Sequence, residues 1–151
     1  MTVPAGVTTA LLATVPWSEL VAYDAAVFGH PRAAFLQRWV SVPGGRGVAS
    51  RAGTAGELRG YAFLRPCLAG YKLGPVFAED AGTARALIRD LLATVPGEMV
   101  ALDVPEPNAA ALAIARELGW EQPFGCAKMI YGPLPADTTA RVFGVTSFEF
   151  G

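Results

Sequence analysis

The segment from Met99 to Trp120, with the sequence MVALDVPEPNAAALAIARELGW, constrains the fold of this chain more than any other. It opens with the apolar run Val100–Leu102, which is too short for a helix and predicts a buried strand. Two prolines follow within five residues and end the strand, because proline cannot continue a hydrogen-bonded ladder. Asn108 is a favourable N-cap for the helix that follows, and Gly119 suits the left-handed position that ends it.

The rest of the chain predicts further strands and helices in alternation. Strands are predicted at residues 7–13, 48–51, 58–64, 70–78, 124–131 and 141–150. Helices are predicted at residues 16–29, 31–39 and 80–93. A turn is expected over residues 53–56 and a loop over residues 132–135, and the pair Gly74-Pro75 suggests a bulge or an edge in its strand. Periodicity therefore predicts a mixed α/β domain without choosing its topology.

Composition excludes several classes of function. The chain has 151 residues, 52% of them apolar and 17% charged, so it can bury a core and is not predicted to be disordered. A formal net charge of −1 gives no electrostatic basis for binding nucleic acid. No apolar run approaches the length of a membrane span, and the N-terminus lacks the basic start of a signal peptide. We therefore expect a cytoplasmic protein that binds neither nucleic acid nor membrane.

Metal-binding residue types are scarce. Cys67 and Cys126 are far apart in the sequence and lie in or beside predicted strands, so we interpret both as small core residues rather than as a disulfide. With one histidine and no cysteine cluster, no metal site is predicted.

The helix after Asn108 carries a family resemblance. The residues Asn108, Ala111, Ile114, Leu118, Gly119 and Trp120 occur with the spacing N-x-x-A-x-x-(L/I)-x-x-x-L-G-(F/W). This pattern resembles the signature that closes the acyl-CoA site of GNAT-superfamily acetyltransferases, and the order of predicted elements is similar to theirs. The resemblance implies one α/β (α+β) domain over residues 1–151. Its central sheet would be mixed but mostly antiparallel, flanked by about four helices.

Four segments are similar to one branch of that superfamily. They are residues 24–32, 74–79, 102–105 and 147–151. They look like the divergent second domain of bacterial tandem-GNAT proteins, in which another acetyltransferase domain comes first. This similarity implies a bacterial protein that forms a homodimer or pairs with another GNAT domain.

The resemblance also implies a site for acetyl-CoA or another acyl-CoA. In the superfamily the pyrophosphate binds a glycine-rich loop at the start of the third helix, and the acyl group lies between the strands equivalent to 71–78 and 99–104. Here the loop is Glu79-Asp80-Ala81-Gly82-Thr83-Ala84, which is short and begins with two acids. The candidate cofactor contacts are Gly82, Thr83, Arg85 and Asn108. In the alternative interpretation, Asp80 caps the helix and Glu79 complements its dipole.

The general acid of the superfamily is also altered. Its tyrosine would fall at Ala115, which has no proton to give, so Tyr131 is the candidate acid unless it is a buried structural residue. Histidine titrates near neutral pH, which makes His30 the natural general base unless it is a solvated turn residue.

Several polar residues could contact an amine acceptor. Asp24 and Arg32 bracket the break between the first two helices, where they either form a structural ion pair or line the acceptor pocket together with Trp39. Asp103 and Glu106 follow the central strand and either act as base and counter-charge or are turn carboxylates.

Three functions are consistent with these residues. The first is a GNAT acyltransferase that acylates a small amine. The second is a GNAT-fold protein independent of CoA that binds or converts a small apolar metabolite in biosynthesis or resistance. The third is a non-catalytic GNAT lobe that dimerises.

Overall fold

The computed structural model describes residues 2–53, 56–132 and 136–150, and within them it contains one six-stranded sheet and four α-helices. The strands are β1 (Thr9–Leu11), β2 (Arg46–Arg51), β3 (Leu58–Pro66), β4 (Tyr71–Ala78), β5 (Val100–Leu102) and β6 (Val142–Gly144). The helices are α1 (Trp17–Phe28), α2 (Ala33–Trp39), α3 (Ala81–Leu92) and α4 (Ala109–Glu117), with single 3₁₀ turns at Leu12–Thr14 and Thr139–Arg141. The predicted turn at 53–56 and loop at 132–135 lie partly outside the described residues, as does the end of the segment 147–151.

The sheet is mixed and mostly antiparallel, as predicted. Strands β1 to β4 pair in sequence order, each antiparallel to the next. Two strands then share the far side of β4. Its first half pairs in parallel with β5, from Tyr71 opposite Val100 to Leu73 opposite Leu102. Its second half pairs antiparallel with β6, with Val76 opposite Gly144.

Helices cover both faces of the sheet, and β3 shows why. Successive side chains of a strand point to opposite faces. Tyr61 and Phe63 pack in the cluster formed with α1 and α2, whereas Ala62 and Leu64 pack in the cluster formed with α3 and α4. Because both faces of β3 are buried, its sequence is a continuous apolar run rather than an alternating one.

Local predictions within the central elements are confirmed. Phe63 of β3 stands opposite both Gly74 and Pro75, because the register passes from Ala62–Val76 to Leu64–Leu73. The pair therefore forms a bulge, and β4 is an interior strand rather than an edge. The N-caps also form, and Gly119 adopts a φ of 68° at the end of α4.

Three predictions are wrong, two about strands and one about the cysteines. A strand needs a partner in the sheet as well as a suitable sequence. The predicted strand at 124–131 does not form: the place beside the second half of β4 is taken by β6, and residues 121–132 are exposed without strand pairing. The predicted strand at 141–150 is reduced to Val142–Gly144. Cys67 and Cys126 are exposed free thiols rather than core residues, one in the turn after β3 and one in the unpaired segment.

Candidate functional site

The gap that the family resemblance implies for an acyl group, where β4 and β5 diverge, is filled by the chain itself. Strand β5 follows β4 for three residue pairs, and β6 then takes its place beside β4. On the other side of this segment, the Val145 N–H donates to the Asp103 carbonyl oxygen at 3.0 Å. Residues 142–145 therefore lie between the second half of β4 and Asp103, the residue that follows β5.

Two glycines make this close approach possible. A Cβ on Gly144 would overlap Leu102 Cδ1, and a Cβ on Gly74 would overlap the carbonyl oxygen of Val145. The backbones of β4 and of the C-terminal segment are consequently in direct contact. The space in which an acyl chain would run is occupied in this conformation.

A buried network of hydrogen bonds connects the C-terminal segment, at Thr146, to α1 and to the turn before α2. Arg32 donates two hydrogen bonds of 2.8 Å to Asp24 and a third, from Nη1, to Thr146 Oγ1 at 2.9 Å. Tyr61 donates to Asp24 from the sheet, and burial together with the Asp24 charge raises the pKa of its hydroxyl well above the ordinary value. The predicted ion pair between Asp24 and Arg32 is thus present, and it reaches the C-terminal segment.

The start of α3 is occupied as well. Asp80 Oδ1 accepts a hydrogen bond of 2.8 Å from the Thr83 N–H, so the carboxylate takes the amide that a phosphate would need. Pro4 covers the next position, since a Cβ on Gly82 would lie 2.7 Å from Pro4 Cγ. The interpretation of Asp80 as a cap is confirmed, and Pro4 lies over the expected phosphate position.

The other loop residues are paired within the chain. Arg59 binds Asp80 at 2.9 Å. Burial raises the pKa of the Asp80 carboxyl, but the hydrogen bonds from Thr83 and Arg59 outweigh it and leave the pKa below its ordinary value. Glu79 accepts a hydrogen bond from Arg141, and Arg85 pairs with Glu117 at 3.1 Å.

Asn108 joins α4 to the segment that fills the gap. Its Oδ1 accepts from the Ala111 N–H at 3.0 Å, and its Nδ2 donates to the carbonyl oxygens of Val142 at 2.9 Å and of Thr139 at 3.1 Å. The side chain is 5% exposed, so all of these bonds are shielded from water. Asn108 therefore caps α4 and hydrogen-bonds the backbone that leads into β6.

The remaining candidates are either paired or exposed. Asp103 is buried and forms an ion pair with Lys72 of β4, whereas Glu106 is exposed. Trp39 Nε1 donates to the Gly74 carbonyl oxygen at 3.0 Å. His30 and Tyr131 are exposed, so Tyr131 is not the buried structural residue that was the alternative.

The structure therefore brings together only part of the predicted site. Arg32 contacts the C-terminal segment through Thr146, Trp39 contacts the adjacent strand β4 through Gly74, and Asp24 holds Arg32 in place. The residues that sequence reasoning missed are Tyr61, Lys72, Thr146 and Arg141, the partner of Glu79. Only Tyr61 carried a signal, because a hydroxyl in an apolar strand needs a buried partner.

Two cavities open near these residues. The larger has a volume of about 400 Å³ and lies between α1 and the ends of β3 and β4. Tyr23 in its wall donates to the Arg59 carbonyl oxygen at 3.1 Å, and burial, with help from Glu79, raises the pKa of this hydroxyl. The smaller cavity, of about 190 Å³, is lined by Phe28, Arg32, Phe35 and Phe150.

Metal and membrane sites find no support in the described part of the chain. Residues 2–53, 56–132 and 136–150 contain no group of three or more histidine, cysteine or acidic side chains placed to hold a metal ion. Within the same ranges, every helix is too short or too polar to cross a membrane.

Comparison with known proteins places this geometry in a family. A family model described as an acetyltransferase (GNAT) domain matches residues 20–144. The holothin acyltransferase of Pseudoalteromonas sp. (strain SANK 73390) is 29% identical over 134 residues, which are 88% of this chain and 45% of that protein. A candidate acetyltransferase from Pyrococcus horikoshii has a similar fold, with a TM-score of 0.75 at 20% identity over all of this chain and 48% of its own.

A shorter relative shows the same fold. The ribosomal-protein-alanine N-acetyltransferase of Brucella melitensis biovar Abortus 2308 gives a TM-score of 0.60 at 16% identity, covering 83% of this chain and 99% of its own. By contrast, this chain spans less than half the length of the Pseudoalteromonas and Pyrococcus proteins.

Proposed function

We propose that this chain, which belongs to the GNAT acetyltransferase family, contributes to acyl transfer as a lobe that does not itself hold acyl-CoA. The observation that carries the proposal is the position of residues 142–145, which lie between the second half of β4 and Asp103, just after β5. The acyl donor would then be held by a GNAT domain other than this one. In this role the domain supports the fold and the acceptor side of a larger enzyme.

The free energy of withdrawing the C-terminal segment supports this proposal. Phe143 is 2% exposed, and burying a side chain of this size contributes about 1.5–3 kcal/mol. Withdrawal would also remove the Thr146 hydroxyl from the buried Arg32 guanidinium. A cost of about 4 kcal/mol would weaken a donor that binds at about 1 μM to about 1 mM.

The lengths of the relatives also support a lobe. The holothin acyltransferase is more than twice as long as the part that this chain matches, and so is the Pyrococcus protein. Each of them has room for a second domain. That second domain is where we propose an acyl-CoA site to lie in a protein built from such a lobe.

A second candidate function is acyl transfer from acetyl-CoA or another acyl-CoA to a small-molecule amine by this domain itself. The similarity to the holothin acyltransferase and the helix signature that begins at Asn108 favour it. Its proton-transfer residues would come from His30, Asp24, Asp103 and Tyr131, and its acceptor contacts from Arg32, Glu106 and Trp39. Its donor contacts would be Gly82, Thr83, Arg85 and Asn108, with Pro4 and the segment 142–150 displaced.

Calorimetric titration of the full chain with acetyl-CoA and with CoA separates the two candidates. The lobe proposal expects no heat up to about 1 mM ligand, where binding is worth only about 4 kcal/mol. Micromolar binding that Gly82→Asp abolishes would overturn it and support acyl transfer by this domain. Gly125→Asp is the matched control, because Gly125 lies in an exposed segment and its Cβ would meet only Gln122 within 4 Å.

A further inference from the structure

The larger cavity, here named the α1 cavity, lies between α1 and the adjoining ends of β3 and β4. Its volume of about 400 Å³ is within the range of small-molecule sites. Tyr23 and Leu58 in its wall belong to the core that α1 and α2 form with one face of the sheet, whereas α3 packs on the other face. Residues 80–84, where an acyl-CoA phosphate would bind, are not part of its wall.

The charged residues of the α1 cavity are unevenly paired. Three carboxylates and two guanidinium groups line it, those of Glu19, Glu57, Glu79, Arg59 and Arg141. Within the described part of the chain, four of these five have an ion-pair partner. The exception is Glu57, which is exposed and whose carboxylate forms no ion pair or hydrogen bond with any described residue. The cavity therefore has one carboxylate free to bind a cationic group.

Arg141 offers a second unpaired group. Its Nη2 donates to Glu79, and its guanidinium lies 5.2 Å from the centre of the Tyr23 ring, so the side chain is held from two sides. Its Nε is buried, yet it donates to no acceptor among the described residues. Buried N–H groups are nearly always paired, so a donor of this kind on a residue that lines a cavity indicates where an oxygen of a ligand would bind.

The rest of the wall is uncharged. Burial, with help from the Glu79 charge, raises the pKa of the Tyr23 hydroxyl, which therefore stays protonated and donates to the Arg59 carbonyl oxygen at 3.1 Å. The Tyr23 ring and Leu58 supply apolar surface. The apolar part of a ligand would be removed from water there, which favours binding.

We propose that the α1 cavity binds a small zwitterion with an ammonium group, a carboxylate and an apolar side chain, as in the aliphatic α-amino acids. The ammonium binds the Glu57 carboxylate, a ligand oxygen accepts from Arg141 Nε, and the side chain contacts Leu58 and Tyr23. Charge-assisted hydrogen bonds at both ends fix the orientation of the ligand. The inference does not depend on whether the domain holds acyl-CoA.

Proton–nitrogen NMR of the full chain tests the contact at Arg141 directly, because arginine Nε–H groups give resonances of their own. The Arg141 resonance is identified by its loss in Arg141→Lys. Titration with L-leucine should shift it with a dissociation constant of about 1 mM or lower. If L-valine, L-leucine and L-isoleucine all leave this resonance unchanged up to about 10 mM, the proposal is overturned.

Two analogues of L-leucine separate the two ends of the ligand. 3-Methylbutylamine lacks the carboxylate, and 4-methylpentanoate lacks the ammonium. Each should bind at least about tenfold more weakly than L-leucine, since each loses one charged contact. Equal binding of the amine would reveal a simple cation site, and equal binding of the acid a simple anion site. Either result would contradict a site for zwitterions.

Two substitutions test the cavity residues. Glu57→Gln removes the charge that holds the ammonium and should weaken L-leucine binding about tenfold. Glu98→Gln is its matched control, because Glu98 is also exposed but lies between α3 and β5, outside the cavity. Arg141→Lys keeps a cation beside Glu79, and it should weaken L-leucine binding without affecting 3-methylbutylamine.

The amide resonances of each variant report in the same spectra whether it folds like the wild type. Equal affinity of Glu57→Gln and Glu98→Gln for L-leucine would contradict the proposed ammonium contact. Titration with acetyl-CoA is scored separately, so a failure of the zwitterion site and a failure of the lobe proposal are distinguishable.

Discussion

Arg32 binds Asp24 through two parallel hydrogen bonds, from Nε to Oδ2 and from Nη2 to Oδ1, both 2.8 Å long. The side chains are only 9% and 1% exposed. The planar guanidinium matches both carboxylate oxygens, an arrangement stronger than a single charged hydrogen bond. Because Arg32 also binds Thr146 and Asp24 also accepts from Tyr61, this one pair connects α1, β3 and the C-terminal segment.

Removing the negative charge from this pair should be costly. Asp24→Asn leaves the Arg32 guanidinium buried without a counter-charge, and we expect the free energy of unfolding to fall by about 3–5 kcal/mol. Urea denaturation followed by tryptophan fluorescence measures the loss. The double variant Asp24→Leu/Arg32→Met removes both charges and should lose less than the single variant. If the double variant loses as much unfolding free energy as Asp24→Leu and Arg32→Met lose together as single variants, the two residues do not act as a pair.

Adding one methyl group at Gly74 should disturb the C-terminal segment. Gly74→Ala forces the backbone at Val145 away from β4, and overpacking of this kind costs typically about 1–3 kcal/mol of unfolding free energy. The matched control is Gly125→Ala, whose new methyl group would meet only Gln122 Nε2, at 3.6 Å. We expect this control to leave the urea midpoint nearly unchanged. Equal stability of the two variants would contradict the direct contact between these backbones.

The ion pair at the start of α3 predicts a pH dependence of stability. The pKa of Asp80 lies below its ordinary value, since the bonds from Thr83 and Arg59 outweigh the effect of burial. Its contribution is therefore fully present above the unfolded-state pKa of about 3.9 and is lost as pH falls through the lower folded-state pKa. Asp80→Asn keeps the cap oxygen but loses the charge, so it should cost about 0.2–1 kcal/mol at pH 7.

The comparison of urea midpoints between pH 7 and pH 3 checks this sign. The difference between wild type and Asp80→Asn should shrink below about pH 4, where the Asp80 carboxyl of the unfolded state begins to protonate. In an Arg59→Gln background the same substitution should have a smaller effect at pH 7, because the main cationic partner is gone. If the stability difference between wild type and Asp80→Asn grew on acidification, the lowered pKa of Asp80 would be contradicted.

Features that depend on neighbours within a few residues could be predicted from the sequence. Asp80 and Asn108 cap the helices that begin beside them, and Gly119 ends α4 in the left-handed conformation. Gly74-Pro75 forms the predicted bulge. Each of these depends on one backbone preference or one short-range hydrogen bond, which the residue types themselves specify.

Features that depend on which of two distant segments pairs with a given strand could not be predicted. Residues 124–131 and 141–150 both have strand-like patterns, but the second half of β4 has one open side and only Val142–Gly144 takes it. Residues 124–131 remain exposed, and Cys126 within them is therefore exposed as well. Strand propensity describes a segment's fitness for a sheet, and it does not identify the edge that will receive it.

The order of the elements as far as α4, the helix caps and the family resemblance follow from the residues themselves, because they are local or cumulative along the chain. For Gly74-Pro75 the residues left two alternatives, a bulge or an edge. The filling of the gap where β4 and β5 diverge depends on the packed fold, and so does the hydrogen bond from Arg32 to Thr146, 114 residues away. A buried guanidinium must satisfy its donors with whatever acceptor the packed fold brings near. Sequence spacing carries no information about that acceptor.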